Sequence, residues 1–232
     1  GKPVVICFLG GDPAASAGNV HRASSLEETA RQAVALAGAR QPGGDEQSIE
    51  ALATRVCASL APSQRNLRGL YSGGTFCSEA QTIWRAAGLR VRSNAPLAEA
   101  DRLADVEASQ GHTAIDLGSD EFTVGRPHPM IDPSVRDDAL RAALKNHDLS
   151  VILLDLVLGY GAHADPAEHL TKIVADRGQD APVLVASVVG TEQDPQGRSA
   201  QVRKLEQAGF VVAPSNAQAC ELAVAIVQNA GR

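Results

Sequence analysis

The stretch SVILLDL at residues 150–156 gives the strongest indication of the fold of this chain. It is an almost continuous apolar run, and a second run of the same kind, PVLVASV at residues 182–188, follows it after a helical pattern. Strands that are apolar at successive positions are buried on both faces, which is typical of parallel sheets covered by helices. The sequence therefore predicts an α/β fold built on a parallel sheet.

Outward from this stretch, strand and helix patterns alternate and predict a flavodoxin-like, doubly wound parallel sheet over residues 64–232. The strands are expected at residues 67–71, 113–117, 150–156, 182–188 and 210–213. The helices are expected at residues 75–87, 133–146, 166–176, 196–208 and 217–230. Because parallel strands end at one edge of a sheet, the loops that follow them should lie together and bind any ligand.

The N-terminal segment looks like only part of a second unit. Residues 3–9 predict one buried strand, and residues 25–37 and 46–60 predict two helices joined by a linker at 41–45. A single buried strand with one or two helices cannot cover both faces of a sheet. We therefore predict a partial α/β unit at residues 1–62 and expect the chain to be a fragment or a split subunit of a longer protein.

The composition of the chain argues against several classes of function. The net charge is −6 and Lys and Arg are not clustered, which argues against binding to nucleic acid. No apolar run approaches the roughly 20 residues that a membrane span needs, and we expect a cytoplasmic protein. Cys7, Cys57, Cys77 and Cys220 lack CxxC spacing, so we expect reduced thiols and not a metal site.

Two of the loops after predicted strands have the pattern of an anion site. Glycine lets the backbone approach an anion, and a following helix supplies free N–H groups and the positive end of its dipole. The candidate anion-binding residues are Ser72, Gly73, Gly74, Thr75, Gly190 and Thr191. The alternative for both loops is an ordinary turn closed by a helix cap, a role for which Asp194 is suited.

The longest of these loops, DLGSDEFTVGRPHPMIDPSVRDDAL at residues 116–140, is dense in ionisable groups. Arg126 can grip a carboxylate or phosphate with two nitrogen atoms. His128 stands between two prolines, which hold it in an extended segment and pre-orient it for proton transfer. The candidate carboxylates are Asp116, Asp120 and Asp155, which would orient these groups, and Glu121. The alternative is a charged surface loop that pairs with itself.

Three other candidates stand outside that loop. Gly159 and Gly161 follow the strand that contains Asp155, and a carboxylate in an apolar strand is costly unless it has a partner. The alternative is that Asp155 caps a neighbouring backbone group. His21 lies in the Gly-rich entry loop of the first unit.

Several strings of the chain resemble the C-terminal part of the FdrA-like proteins, relatives of succinyl-CoA synthetase. The matching strings are GLYSGGTFCSEAQ (69–81), AIDLGSDEFTVGRPHPMIDPSVR (114–136), LLDLVLGYGAHADPA (153–167), VASVVGTEQDPQGR (185–198) and VAPSNAQA (212–219). KPVVICFLGGDP (2–13) is similar to the second half of the preceding CoA-ligase domain. The resemblance implies acyl, carbamoyl or phosphoryl transfer on a flavodoxin-like fold, with CoA or nucleotide bound by a first domain that the chain lacks.

The resemblance also implies a reaction and partners. Some FdrA-like proteins form part of an oxamate carbamoyltransferase, which interconverts oxalurate plus phosphate with carbamoyl phosphate plus oxamate in allantoin breakdown. It therefore implies a small anionic substrate (phosphate, carbamoyl phosphate or an oxo-acid), further protein subunits, and a homo-oligomer as an option. The alternatives are a related ADP- or GDP-forming acyl-CoA synthetase component and a non-catalytic docking or regulatory module.

Two features of related folds are missing. Succinyl-CoA synthetases phosphorylate a histidine in a Gly-His-Ala-Gly setting, whereas His21 lies in the sequence NVHR, which favours a short strand. This difference favours direct carbamoyl or phosphate chemistry. Residues 149–158 also mimic the phosphoacceptor strand of a receiver domain. That chemistry needs an acid pair after the first strand and a lysine after the fifth, where this chain has SGG and APS.

Overall fold

The computed structural model describes residues 1–10, 18–39, 48–108 and 111–230. Its strands are β1 (Val4–Cys7), β2 (Val20–Ala23), β3 (Asn66–Tyr71), β4 (Val91–Ser93), β5 (His112–Asp116), β6 (Leu149–Val157), β7 (Val183–Val189) and β8 (Val211–Ala213). Its helices are α1 (Leu26–Leu36), α2 (Ile49–Cys57), α3 (Gly74–Ala86), α4 (Asp120–Thr123), α5 (Asp137–Leu144), α6 (Pro166–Val174), α7 (Arg198–Gln207) and α8 (Asn216–Ala230). Short 3-10 helices lie at Glu99–Asp101 and Pro133–Arg136.

Strands β3 to β8 form one parallel sheet in the order β4-β5-β3-β6-β7-β8. Without the edge strand β4, the order of the remaining five is the 2-1-3-4-5 order of flavodoxin-like folds, which confirms the predicted fold class. The sequence analysis missed β4, because a strand of three residues whose middle residue, Arg92, is exposed gives no apolar run.

Helices cover both faces of this sheet. α2, α3 and α8 pack on one face, where the ring of Trp84 is fully buried, and α5, α6 and α7 pack on the other. Strand β6 contributes to both cores, since Val151 and Leu153 belong to one and Ile152 and Leu154 to the other. The two-sided burial predicted from the apolar run is thus confirmed.

The N-terminal strands form a separate two-stranded parallel sheet in which Val5 pairs with His21. The short strand expected at His21 is confirmed. A strand lies within the predicted residues 3–9, as β1, but the prediction that it is buried is wrong: Val4 is 47% exposed and the rest of β1 is half-buried, although α1 packs against it. The linker predicted at residues 41–45 lies outside the described residues.

The N-terminal elements contact the six-stranded domain at several places, of which two follow. α2 packs on α8, with Ala53 fully buried and the Cys57 Sγ 3.4 Å from the carbonyl oxygen of Ile226. α1 approaches α3, where the backbone N–H of Leu26 donates to Oε1 of the buried Glu79 (2.7 Å). The predicted domain boundary near residue 62 stays a prediction. Helix α2, which precedes that residue, contributes Ala53 to the core of the six-stranded domain.

Two other features, a membrane-crossing helix and a metal site, are not found among the described residues. Across these ranges, none of the helices combines the length and the hydrophobicity that crossing a membrane requires. The same ranges hold no group of three or more His, Cys, Asp or Glu side chains placed to bind a metal. All four cysteines are free thiols, and burial raises the pKa of Cys77 to about 12, so that this thiol stays protonated.

Candidate functional site

The β3–α3 loop, residues 72–75, lies at the carboxyl edge of the sheet on its central strand. α3 begins at Gly74, and its N-cap residue Gly73 has extended backbone (φ −169°, ψ 165°) and provides no side-chain cap. The first N–H groups of a helix have no partner within the helix. Together with the positive end of the helix dipole, those of α3 give the kind of arrangement that can bind a small anion.

A buried ion pair holds this loop from the side of the core. Asp155 Oδ1 accepts hydrogen bonds from the N–H of Ser72 (2.7 Å) and from Nη2 of Arg136 (3.1 Å). Arg136 Nη1 donates to the carbonyl oxygen of Asp155 (2.9 Å), and Nη2 also donates to Ser72 Oγ. The side chains of Arg136 and Asp155 are 5% and 0% exposed. Asp155 thus follows the alternative in which it caps a neighbouring backbone, and the Ser72 N–H is already bonded.

The sequence analysis did not recognise Arg136. Burial lowers the pKa of its guanidinium, and the neighbouring carboxylate of Asp155 opposes that effect. Arg136 lies immediately before Asp137, the first residue of α5. A cation at a helix N-terminus is unfavourable unless a carboxylate compensates it. The position of Arg136 near the start of a predicted helix could therefore have indicated a buried partner such as Asp155.

Asp116, Gly118 and His128 meet beside the β3–α3 loop. Asp116 Oδ1 accepts a hydrogen bond from the N–H of Gly118 (2.9 Å). A Cβ atom on Gly118 would lie 2.4 Å from the carbonyl oxygen of Ser72, 2.7 Å from His128 Nε2 and 3.2 Å from Asp116 Oδ1. A Cβ on Gly74 would lie 3.1 Å from Asp116 Oδ2. The carboxylate of Asp116 therefore lies between the start of α3 and the ring of His128.

The hydrogen bonds of His128 decide which of its ring nitrogens carries the proton. The N–H of Met130 donates to His128 Nδ1 (3.3 Å). A ring nitrogen that accepts is unprotonated, so neutral His128 carries its proton on Nε2, the atom nearest Gly118. Burial raises the pKa of Asp116, while the bond from Gly118 and the charge of His128 oppose that effect.

The structure does not bring Arg126, Asp120 and Glu121 into this cluster. All three are exposed, because α4 is a single turn, and Arg126 makes no side-chain hydrogen bond or ion pair to the residues described. Asn94 holds the strand end instead: it donates from Nδ2 to the carbonyl oxygen of Asp116 and accepts from the N–H of Asp116, both at 2.9 Å. The sequence analysis missed Asn94, which follows the unrecognised strand β4.

Gly190 and Thr191 were expected to lie at a helix N-terminus, and this prediction is wrong, because the helix that follows them begins seven residues after Thr191. α7 starts at Arg198, and its N-cap is Gly197. Asp194 Oδ2 accepts from the N–H (2.5 Å) and the hydroxyl (3.1 Å) of Thr191. An anion at this loop would meet a carboxylate and find its donors already bonded.

The remaining candidates do not join the cluster either. Gly159 and Gly161 have φ values of 136° and 84°, which favour glycine. The N–H and the carbonyl of Gly159 are both bonded to the side-chain amide of Gln196, at 3.1 and 2.9 Å. His21 lies on β2, outside the six-stranded sheet.

Comparison with known proteins assigns the family. Residues 70–226 match the model of the CoA-ligase family. The chain belongs to this family. The matched range contains the β3–α3 loop, the residues around Gly118, and the Arg136–Asp155 pair. Membership makes the chain an acyl-CoA synthetase-like, ligase-type α/β protein.

Two individual proteins are similar to this CoA-ligase family chain. The uncharacterized protein YahF of Escherichia coli (strain K12) is 35% identical over 224 residues, which cover 93% of this chain and 43% of YahF. The crystal structure of PH0766 from Pyrococcus horikoshii OT3 is 12% identical and covers 99% of this chain and 46% of its own, with a TM-score of 0.49. A likeness of that size carries no argument about function. The chain spans less than half the length of both proteins.

The family name implies CoA, and we tested whether the described residues fit it. A cleft between α1, α2 and α8 is large enough for a ligand, at about 600 Å³. Its described lining includes Glu27, Glu28, Arg31, Glu50 and Glu221. Phosphate groups of CoA or a nucleotide would meet mainly carboxylates there, which is unfavourable.

Proposed function

We propose that this chain is the group-transfer domain of an FdrA-like enzyme, and that it acts on a small anion such as phosphate, carbamoyl phosphate or an oxo-acid. The observation that carries the proposal is the convergence of three groups at the carboxyl edge of the sheet. These are the uncapped start of α3, the Nε2–H of His128 and the carboxyl group of Asp116. Fixed donors at such a site stabilise charge that develops during the reaction.

For the specific reaction we propose the phosphorolysis of oxalurate to carbamoyl phosphate and oxamate. A phosphate oxygen attacks the carbamoyl carbon, and the bond from this carbon to the oxamate nitrogen breaks. Hydrogen phosphate loses one proton as it attacks, and the leaving nitrogen gains one, so the protons balance within the reactants. Asp116 accepts this proton from the phosphate and passes it to the leaving nitrogen, so that it ends as it began, while the Nε2–H of neutral His128 donates a hydrogen bond to the charge that develops on the carbamoyl oxygen. The backbone amides of Gly74 and Thr75 hold the phosphate.

Two further assignments complete the proposal. Neutral His128 carries its proton on Nε2, so this nitrogen donates a hydrogen bond and cannot act as the attacking nucleophile. Arg126, which is exposed on the same loop two residues before His128, is assigned the role of attracting the anionic substrate to the site through its charge. CoA or a nucleotide, if the complete protein uses one, would be bound by a different domain.

The test is an assay of oxalurate phosphorolysis with the complete assembly of this chain and its partner subunits. His128→Ala should lower the rate about a hundredfold, because the loss of one fixed donor to developing charge costs on that order. Arg126→Ala should lower the rate as well, with assembly unchanged by size-exclusion chromatography. No carbamoyl phosphate from the wild-type assembly would exclude this reaction. A CoA-dependent release of ADP or GDP would then identify the acyl-CoA synthetase alternative.

A second candidate function, a docking module, is favoured by apolar side chains around the same edge. Val124, Ile131 and Tyr160 are 82%, 54% and 92% exposed, and all three lie on loops that follow β5 or β6. Exposed apolar groups at one edge are typical of a contact surface for another protein. If replacing all three with serine abolishes assembly, and the intact domain binds no phosphate, the docking function stands and the transfer function fails.

A further inference from the structure

We propose that Arg136 and Asp155 are positioning residues for the β3–α3 loop. In this proposal the pair fixes Ser72, and Ser72 in turn fixes the orientation of the amides of Gly73 and Gly74. The inference rests on the proposed function for its ligand, a small anion. The other part of the inference, that the pair immobilises Ser72, is independent of the proposed function.

The geometry of the pair supports positioning and not direct contact with a substrate. Two atoms of Ser72 are bonded to the pair, its N–H to Asp155 Oδ1 and its Oγ to Arg136 Nη2. The cavity that adjoins both charged residues holds only about 20 Å³, enough for a single water molecule. An anion of substrate size therefore cannot reach the guanidinium, and Arg136 acts through Ser72.

The energetics of the pair point the same way. A buried ion pair often contributes no more stability than apolar residues of similar volume, because both charges lose their hydration. This pair is also incompletely bonded, since Arg136 Nε and Asp155 Oδ2 have no hydrogen-bond partner among the described residues. Apart from the bonds between Arg136 and Asp155 themselves, the side-chain bonds of the pair go to Ser72, the residue before the glycines. Its geometry is therefore better explained by fixing this loop than by net stabilisation.

The loop itself needs such a support. Gly73 and Gly74 have more conformational freedom than other residues, so an anion would have to order them on binding. Ordering a backbone residue on binding costs conformational entropy. A loop that the pair has already ordered binds the anion without that loss, which is the general advantage of preorganisation.

The experiment compares the wild-type chain with two variants in ¹⁵N NMR spectra. Arg136→Met removes the cation but leaves Asp155 buried without a partner, and this variant can fail to fold. The double variant Arg136→Met/Asp155→Leu removes both charges and keeps the buried volume, so it keeps the test valid. Arg68→Met is the matched control, since Arg68 is also buried (7% exposed) in the sheet but bonds Thr113, away from the loop.

Two measurements are made on each variant: the exchange rate of the Ser72 amide proton and the dissociation constant for inorganic phosphate. We expect the double variant to exchange the Ser72 amide at least about tenfold faster and to bind phosphate about tenfold more weakly, the size of one bond to a charged group. The amides of Leu70 and Leu154, inside the sheet, should keep their exchange rates. Arg68→Met should keep the phosphate affinity, and Arg136→Lys should recover part of it.

The outcomes separate this inference from the proposed function. An unchanged Ser72 exchange rate in the double variant would overturn the positioning role. So would a loss of phosphate affinity no larger than that of Arg68→Met. If the wild-type chain binds no phosphate while the Ser72 amide still exchanges faster in the double variant, the anion site fails and the immobilisation of Ser72 is supported.

Discussion

Two loops at the carboxyl edge of the sheet share a glycine followed by a hydroxyl residue, yet they differ in what their donors do. In the β3–α3 loop, helix α3 starts directly at Gly74 and no side chain caps it. In the β7–α7 loop, the N–H and hydroxyl of Thr191 both donate to Asp194, and α7 starts only at Arg198. In the first loop the amides that open α3 have no capping side chain among the described residues. In the second loop the donors of Thr191 are bonded within the loop itself.

A glycine followed by a hydroxyl residue is therefore not sufficient to make an anion site. A carboxylate three residues downstream satisfies the donors locally and repels an incoming anion. Near the β3–α3 loop the carboxylates are placed differently. Of the loop's amides Asp155 bonds the N–H of Ser72, and the same carboxylate oxygen is paired with Arg136. Burial raises the pKa of Asp116, which opposes its ionisation.

The largest effect on the β3–α3 side should come from Gly118→Ala. The added methyl would lie 2.4 Å from the carbonyl oxygen of Ser72, a backbone atom that cannot move aside cheaply. We expect a loss of about 3 kcal/mol in the free energy of unfolding, measured by urea denaturation. Gly178→Ala is the control, since no atom lies within 4 Å of its Cβ position, and it should change stability by less than about 0.5 kcal/mol. Equal effects of the two substitutions would contradict the crowding at Gly118.

The next largest effect should come from Gly73→Asp, which gives α3 the kind of carboxylate that the β7–α7 loop has. The N-cap backbone is extended and nothing lies within 4 Å of its Cβ position, so the side chain fits. Helix stability should rise by a few tenths of a kcal/mol, about the difference between Gly and Asp at an N-cap. Phosphate affinity should fall at least about tenfold, because the amides are occupied and like charges repel.

Gly73→Asn separates the two causes of that loss. It offers the same capping oxygen without a charge, so we expect a smaller loss of affinity, measured by titration calorimetry with phosphate. Unchanged affinity in both variants would show that the anion does not bind at the start of α3.

Features that depend on neighbouring residues could be predicted from the sequence, whereas contacts between residues far apart along the chain could not. The run in β6 was predicted as 150–156 and found as Leu149–Val157, because continuous apolar character is a local signal of two-sided burial. The bond from Arg136 to Ser72 joins residues 64 positions apart, and no local pattern specifies it. The three-residue β4 and, with it, Asn94 were missed because so short a strand has no period to detect.

The candidate site shows the same limit. Asp116 and His128 were predicted from local features, a strand end and two flanking prolines, and both lie beside Gly118. Arg126 was predicted from its chemistry alone and lies exposed, since the single turn of α4 turns the chain outward. Which of two arginines on one loop points inward is decided by packing against β6, and the sequence does not encode that locally.

The comparison can also be tested from the other loop with Asp194→Ala, which should have an intermediate effect. Loss of the two bonds to Thr191 should cost about 1 kcal/mol in the free energy of unfolding, similar to the loss of a cap. Phosphate affinity should stay unchanged, because the site at the β3–α3 loop is intact. A rise in affinity of several-fold, seen by calorimetry, would show that Thr191 was a second anion site blocked only by this carboxylate.

The smallest effect should be a dependence of anion affinity on pH through Asp116. Its folded pKa lies above the ordinary value of 3.8 because of burial, so the folded state holds this proton more tightly than the unfolded state does. The stability that this adds is present below pH 3.8 and is lost as pH rises through the folded pKa. Over the same window the carboxylate becomes charged beside the start of α3 and should weaken the binding of sulfate, whose own charge stays constant. Asp116→Asn should flatten the sulfate profile, whereas the exposed Asp120→Asn should leave it as in the wild type. If the wild-type affinity does not fall with rising pH, Asp116 does not face the bound anion.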